Sequence, residues 1–245
     1  EDLGEGQANQ FAMAKAIASG DPRLMQKAGL EADIARLERL RSAHQDDQFA
    51  IRRQIRDAER DIEYSTRRIG EIGQDLARLV PTTGDAFRMS VGKETFIERK
   101  LAGRGLMTEI LTLVQLQNTG TRTIAAIGGF DLRYSGERFG QDGYRYATML
   151  VRTGAETEIE LPVTTPPLGA IARLEHVLAS FEEEQERYRH RLSDAERRLA
   201  SYRAREGGAF AFSDELAGKR RQLAEIENSL SQDVERTRAA DVQAA

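Results

Sequence analysis

The chain of 245 residues carries 36 Lys and Arg against 40 Asp and Glu, a net charge of −4, with 31% charged residues, 6% aromatic residues, no Trp and no Cys. The lack of cysteine excludes disulfides, thiolate chemistry and cysteine-based zinc sites. Interspersed charge of both signs excludes a strong global footprint for nucleic acid or membrane, and no apolar run approaches the ~20 residues that span a bilayer.

Glu1 to Gly6 reads as a loose start, charged, glycine-rich and without Met, as expected of a piece of a longer polypeptide. No signal peptide is visible, and a cytoplasmic setting is the default expectation. Gln7 to Ser19 predicts a short helix with Phe11, Met13, Ala14, Ile17 and Ala18 as its apolar side and Gly20 as its C-terminal cap. Asp21-Pro22 then supplies an N-cap and a first-turn proline. From Pro22 to about Leu79 the pattern is helical, roughly 87 Å at 1.5 Å per residue. Its seam runs Leu30, Ile34, Leu37 and, after a polar gap, Ile51, Ile55, Ala58, Ile62, Ile69, Ile72, Leu76, Leu79. Steps of three and four keep these on one narrow stripe that must bury against another helix. Glycine costs about 1 kcal/mol inside a helix, so a bend is expected at Gly70 or Gly73. Val80 to Asp85 ends the helix.

Residues 86–165 follow a different grammar. Phe87–Val91 alternates as a strand, and Thr95 to Gln117 predicts a helix with Ile97, Leu101, Leu106, Ile110, Leu113 and Val114 inside. Arg122–Ile127, Phe130–Tyr134, Tyr144–Arg152 and Thr157–Leu161 predict short strands separated by glycines, the grammar of antiparallel hairpins. A single helix is expected to cover one face of that sheet. Pro166-Pro167 closes the segment. Leu168 to about Arg205 predicts a second long helix with Ile171, Leu174, Leu178, Phe181, Gln185, Tyr188, Leu192, Ala195, Leu199 and Tyr202 as its seam. After Gly207-Gly208, Ser213 caps a third helix, with Leu216, Leu223, Ile226 and Leu230, that fades near Gln232.

Two long helices flanking one insertion should pair antiparallel, with Leu79 near Leu168, Ile62 near Gln185, and the Arg41–Gln48 gap near the end of the second helix. Residues 22–40 then need the first short helix or the third helix as partner. The fold class expected is α+β, mostly α: a long antiparallel coiled-coil arm (1–81 and 168–245) with a small antiparallel-sheet plus helix head (82–167) inserted at its tip.

No catalytic constellation stands out. His176 and His190 fall on the outer face of the second helix and His44 in the polar gap, so all three read as solvated or packing residues. No HExxH or two-His-one-carboxylate spacing exists. Ser90-Val91-Gly92-Lys93-Glu94-Thr95 has a Gly-Lys before a helical pattern but lacks the upstream glycine of a Walker A loop, and Glu94 stands where a magnesium-binding hydroxyl would; turn chemistry explains it. Polar seam residues Arg41, His44, Gln48 and Gln185 fit register-fixing positions, with simple local fraying of the seam as the alternative. In the head, Lys93, Lys100, Arg104, Arg133, Arg138 and Arg145, with tyrosines interleaved, form the candidate nucleic-acid-binding set, because cations near aromatic rings hold a backbone and stack bases. The head's acids nearly cancel that charge, which leaves a polar sheet face as the plain alternative.

Ala16-Ile17-Ala18-Ser19-Gly20-Asp21-Pro22-Arg23-Leu24-Met25, leading into Leu30, Ile34, Leu37 and Leu40, resembles the segment downstream of the motor in plasmid- and phage-borne fusions of an SNF2-type helicase with an adenine-specific DNA methylase. Asp21 stands where that family commonly has Asn. Gly128-Gly129-Phe130 and Phe210…Phe212…Glu215-Leu216 are similar later landmarks. The resemblance implies the C-terminal accessory region of a protein serving DNA metabolism of mobile elements, including antirestriction, with ATP and S-adenosylmethionine as cofactors of the parent and none in this piece. The partners it implies are the parent's other domains and DNA, with no membrane; oligomeric state stays open. No catalytic motif of the family lies in this chain, so no catalytic residue carries over. The alternative is a protein–protein or dimerisation module with no nucleic-acid contact.

Overall fold

The computed structural model describes residues 20–140 and 143–243, with side chains as far as Arg236. The expected loose start and Gln7–Ser19 helix lie outside the described residues, as do Gln141 and Asp142. The chain is mostly helical with a six-stranded antiparallel sheet, an α+β fold. Helix α1 spans Pro22–Arg78, followed by a 3-10 turn at Gly84–Ala86, β1 Met89–Val91, β2 Glu94–Phe96, α2 Arg99–Gln115, β3 Gly120–Ile127, β4 Phe130–Phe139, β5 Gly143–Arg152, β6 Ala155–Glu158, α3 Pro167–Ala179, α4 Phe181–Arg205 and α5 Ser213–Gln243. Two compact units divide it, Ala58–Arg198 and the residues up to Asp57 together with those from Leu199 on.

In the Ala58–Arg198 unit the strand order is β2-β1-β3-β4-β5-β6, every neighbour antiparallel. Alternation sends Met89, Val91, Ile127, Phe130, Leu132, Tyr134 and Leu150 to one face, where they are buried. Helix α2 covers that face with Ala102, Leu106, Ile110 and Leu113. It is not alone: α3 adds Ala170, Ile171, Leu174 and Leu178 to the same core, and α1 adds Ile72. Gly103 permits the α2–α3 approach, since a Cβ there would run into the Pro167 carbonyl. The Gly128-Gly129 turn between β3 and β4 has φ of +60° and +88°, a conformation that favours glycine. It packs on the end of α1, where Val80 N–H donates to the Gly128 carbonyl and a Cβ on Gly129 would meet the Arg78 carbonyl at 2.6 Å.

Helices α1 and α4 run antiparallel within this unit. Tyr64 and Tyr188 meet edge to face at 5.9 Å, Arg191 and Arg198 both bond Asp61, and Gln185 Nε2 donates to the Ile69 carbonyl. The pairing differs from the expected register: Gln185 meets Ile69 rather than Ile62, a shift of about two turns. The cause is the split of the expected second helix at Ser180, whose hydroxyl turns back onto the Val177 carbonyl. The portion before the split, α3, belongs to the layer over the sheet. Leu79 consequently lies beside Leu178, since a Cβ on Gly128 would meet both side chains, while Leu168 is 54% exposed. Helix α1 runs through Gly70 and Gly73 without a break, 57 residues in all.

A second departure concerns Thr95 and Phe96. They pair with Ser90 and Met89 in β2 instead of starting a helix, and the Gly92-Lys93 turn closes the hairpin with Gly92 at φ +56°. Ile97 and Leu101, expected inside, are 69% and 44% exposed.

In the other unit α5 pairs antiparallel with the first part of α1: Arg23 reaches Asp233 at 2.6 Å, Lys27 reaches Glu227 at 2.8 Å and Lys219 reaches Asp33 at 2.6 Å, around buried Leu37 and Leu216. The third helix is thus the partner of this stretch, and it continues to Gln243 rather than fading near Gln232. The Arg41–Gln48 gap caps the end of α4. Gly207 N–H donates to Gln48 Oε1, Gln48 Nε2 donates to the Arg205 carbonyl, and a His44 ring nitrogen bonds the Gly208 carbonyl. Asp21 caps the start of α1 through the Arg23 N–H, and the Arg23 guanidinium holds its carboxyl below the usual carboxylate range.

Candidate functional site

The six candidate basic residues are not brought to one place. Arg133 and Arg145 share the sheet face opposite the helices, because strand alternation separates them from Leu132, Tyr134 and Leu150. Both are already in ion pairs. Arg133 bonds Glu156 of β6, and Arg145 donates from Nε and Nη2 to Glu137, its cross-strand partner, at 2.9 and 2.6 Å. Arg138 sits opposite Tyr144, next to the β4–β5 connection, on the alternate parity. Lys93 is in the β1–β2 turn, and Lys100 and Arg104 lie one turn apart on the outward side of α2, across the layer from Arg133. Lys93, Lys100, Arg104 and Arg138 are exposed and have no acidic partner among the described residues.

The strongest concentration of charge is one the sequence reading missed. Arg152, at the end of β5, points to the covered face with a side chain only 4% exposed. Its Nε donates to Asp75 Oδ2 at 3.0 Å and its Nη1 to Glu184 Oε2 at 2.6 Å, while the guanidinium lies 4.1 Å over the Phe181 ring. Asp75, fully buried, also accepts the Thr153 N–H at 2.9 Å. Arg68 bridges Glu71 at 2.6 Å and Glu184 at 3.3 Å, and Arg78 reaches Asp75 at 3.6 Å and donates to the Val151 carbonyl. Three guanidiniums and three carboxylates therefore balance where β5, α1 and α4 meet. Burial pulls the Arg68 guanidinium down, but bonds to Glu71, Tyr188 and Glu184 outweigh it and leave it above its ordinary value. Arg152 Nη2 has no hydrogen-bond partner among the described residues.

Two signals for this cluster were in the chain. Arg68, Glu71, Asp75 and Arg78 are spaced three, four and three, a charged stripe beside the apolar seam. Arg152 has the parity of Thr148 and Leu150, so alternation alone aims it inward. Ser65 was also overlooked: it occupies the seam slot between Ile62 and Ile69 and is fully buried.

A tyrosine group stands beside the cluster on the same sheet. Tyr134 and Tyr146 stack at 5.5 Å, Tyr144 bonds the Tyr134 hydroxyl and donates to the Asn118 carbonyl at 2.7 Å, and Tyr146 donates to the Leu161 carbonyl at 2.8 Å. Burial, then the bond to Tyr144, pushes the Tyr134 hydroxyl far above the usual phenol value, and burial raises Tyr146 as well. Gly136 leaves the space through which Tyr144 reaches Asn118.

Open grooves are shallow. One of 460 Å³ runs between Leu79–Thr83 and the Ala172–Ala179 side of α3. Another of 390 Å³ lies beside Tyr146–Thr148 and Glu158–Val163. Among the described residues no group of three or more His, Cys, Asp or Glu side chains is placed to hold a metal ion, and no described helix is long and apolar enough to cross a membrane. Comparison with known protein families, curated proteins and solved structures finds no match for this chain.

Proposed function

We propose that the chain is a non-catalytic accessory region of a helicase–adenine-specific DNA methylase of mobile elements, a coiled-coil arm whose inserted α+β head positions DNA or the parent's other domains. The observation that carries the positioning role is the buried Arg152–Asp75–Glu184–Arg68 cluster, which ties the sheet to two antiparallel helices. Buried ion pairs cost desolvation and reward fixed geometry, so a clamp of this kind suits a part whose task is to hold a surface in a set orientation. Antiparallel pairing of α1 with α4 and with α5, each within its own unit, supports the arm. The assignment to that parent rests on the Ala16–Met25 resemblance.

A second reading, a protein-interaction module without nucleic-acid contact, is favoured by Arg133 and Arg145 being neutralised by Glu156 and Glu137. The two separate on one titration. The whole chain is mixed with a labelled duplex of about 40 bp and its single strands at about 50 mM salt. If the head positions DNA, affinity falls on a log–log salt plot with a slope of about −0.9 per phosphate engaged, and changing Lys93, Lys100, Arg104 and Arg138 together to Glu abolishes it. Absent or salt-insensitive binding selects the protein-interaction reading. ATP hydrolysis or methyl transfer by the purified chain overturns the non-catalytic assignment.

A further inference from the structure

Strand β5 spans Gly143–Arg152, but β6 pairs only with its second half, from Met149↔Glu158 to Arg152↔Ala155. One bond beyond, Ile159 N–H to the Thr148 carbonyl at 2.8 Å, closes that ladder. The chain then leaves the line of the sheet. Tyr146, on the helix-covered face, holds the Leu161 carbonyl, and Leu161 is buried there. In an antiparallel strand the N–H and C=O of one residue point the same way and alternate residues point oppositely. The Thr148 carbonyl faces the β6 side, so the main-chain groups of Tyr146 and Tyr144 face it too. No described segment pairs with them. Among the described residues the first half of β5 is therefore a free sheet edge, in line with β6, and the 390 Å³ groove walled by Pro162 and by Val163, which is 40% exposed, lies directly beside it.

We infer that this edge accepts an extended, basic peptide segment of a partner protein, added as a further antiparallel strand along Tyr144–Ala147. Main-chain bonds from Tyr144 and Tyr146 supply the affinity, as in strand addition generally. Charge selects the occupant. Glu158 and Glu160, at the point where β6 departs, are exposed with no cation on their carboxylates among the described residues; Arg173 is engaged on the Glu160 carbonyl, and Arg145 on Glu137. Small Ala147 leaves room on the open face for long side chains. The segment that fits is about four residues, roughly 14 Å, alternating Lys or Arg with β-branched residues.

The test uses the whole chain and a displayed library of linear heptapeptides. Enriched sequences are expected to alternate basic and β-branched residues. A synthesised winner is expected to shift amide resonances of Tyr144–Ala147. Methylating its alternate main-chain nitrogens, or changing Glu158 and Glu160 to Lys in the protein, is expected to weaken it at least tenfold, with circular dichroism reporting that the variant folds. Acidic or patternless winners, equal enrichment on the variant, or shifts confined elsewhere overturn the proposal. So does concentration-dependent broadening of Tyr144–Ala147 without peptide, which would make a second copy of this chain the occupant.

Discussion

Asp75 and Arg152 illustrate how much a single buried charge depends on its neighbour. Asp75 is fully buried and holds both Arg152 Nε and the Thr153 N–H. Removing one member of a buried pair strands the other and costs about 3–5 kcal/mol, whereas an apolar side chain of similar volume in place of the ion is often tolerated. Asp75→Ala should therefore shift the urea midpoint far downward. Arg152→Met should shift it less, because Met can lie on Phe181 and the already unpartnered Nη2 is removed with it. Equal losses would mean that Arg152 is needed for packing rather than for charge. Tyr134 gives a pH signature. Its folded-state pKa lies above the unfolded phenol value, so its contribution is complete below about pH 10 and is lost as pH rises beyond that, because only the unfolded chain releases the proton easily. Alkaline unfolding followed by tyrosinate absorbance should begin above pH 10 in the native chain, and Tyr134→Phe should move the midpoint upward although it forfeits the bond to Tyr144 at neutral pH.

At the scale of elements, the approach of α2 to α3 rests on one missing methyl group. Gly103→Ala should cost about 1–3 kcal/mol by overpacking, since the obstruction is the Pro167 backbone and not a side chain that can swing away. A thermal melt measures it; Gly70→Ala on α1, where a Cβ meets nothing within 4 Å, should stabilise instead. The same elements mark the limits of what residue spacing conveys. Helix α1 and the seams were legible because a three-four repeat is a local property. The β3–β4 turn was legible through Gly128-Gly129. The register of α1 on α4 was not, because one turn at Ser180 hands Ile171, Leu174 and Leu178 to the sheet layer while leaving the seven-residue rhythm intact. Thr95 and Phe96 misled for a related reason: Ile97 and Leu101 continue the α2 spacing although they face solvent. Of the candidate site, residue types alone picked out the cations, but whether Arg133 and Arg145 are spare depends on Glu156 and Glu137, which only the strand register brings opposite.

For the molecule as a whole, the core from Ile72 to Phe181 lies entirely inside the Ala58–Arg198 unit. That segment expressed alone should retain its sheet and melt cooperatively; a chain that loses near-ultraviolet ellipticity on this truncation would refute the unit boundary. The clamp at its centre joins residues far apart in the chain, Asp75 to Arg152 across 77 positions and Arg68 to Glu184 across 116. That separation sets an order of events during synthesis. Ribosomes add about 5–20 residues per second, so the α1 seam, complete at Arg78, waits something like 5–25 s for the α4 residues that will cover it. For that interval Ile62 and Ile69 face solvent or whatever binds nascent chains, and all six strands leave the ribosome before the helix that will cover this part of α1.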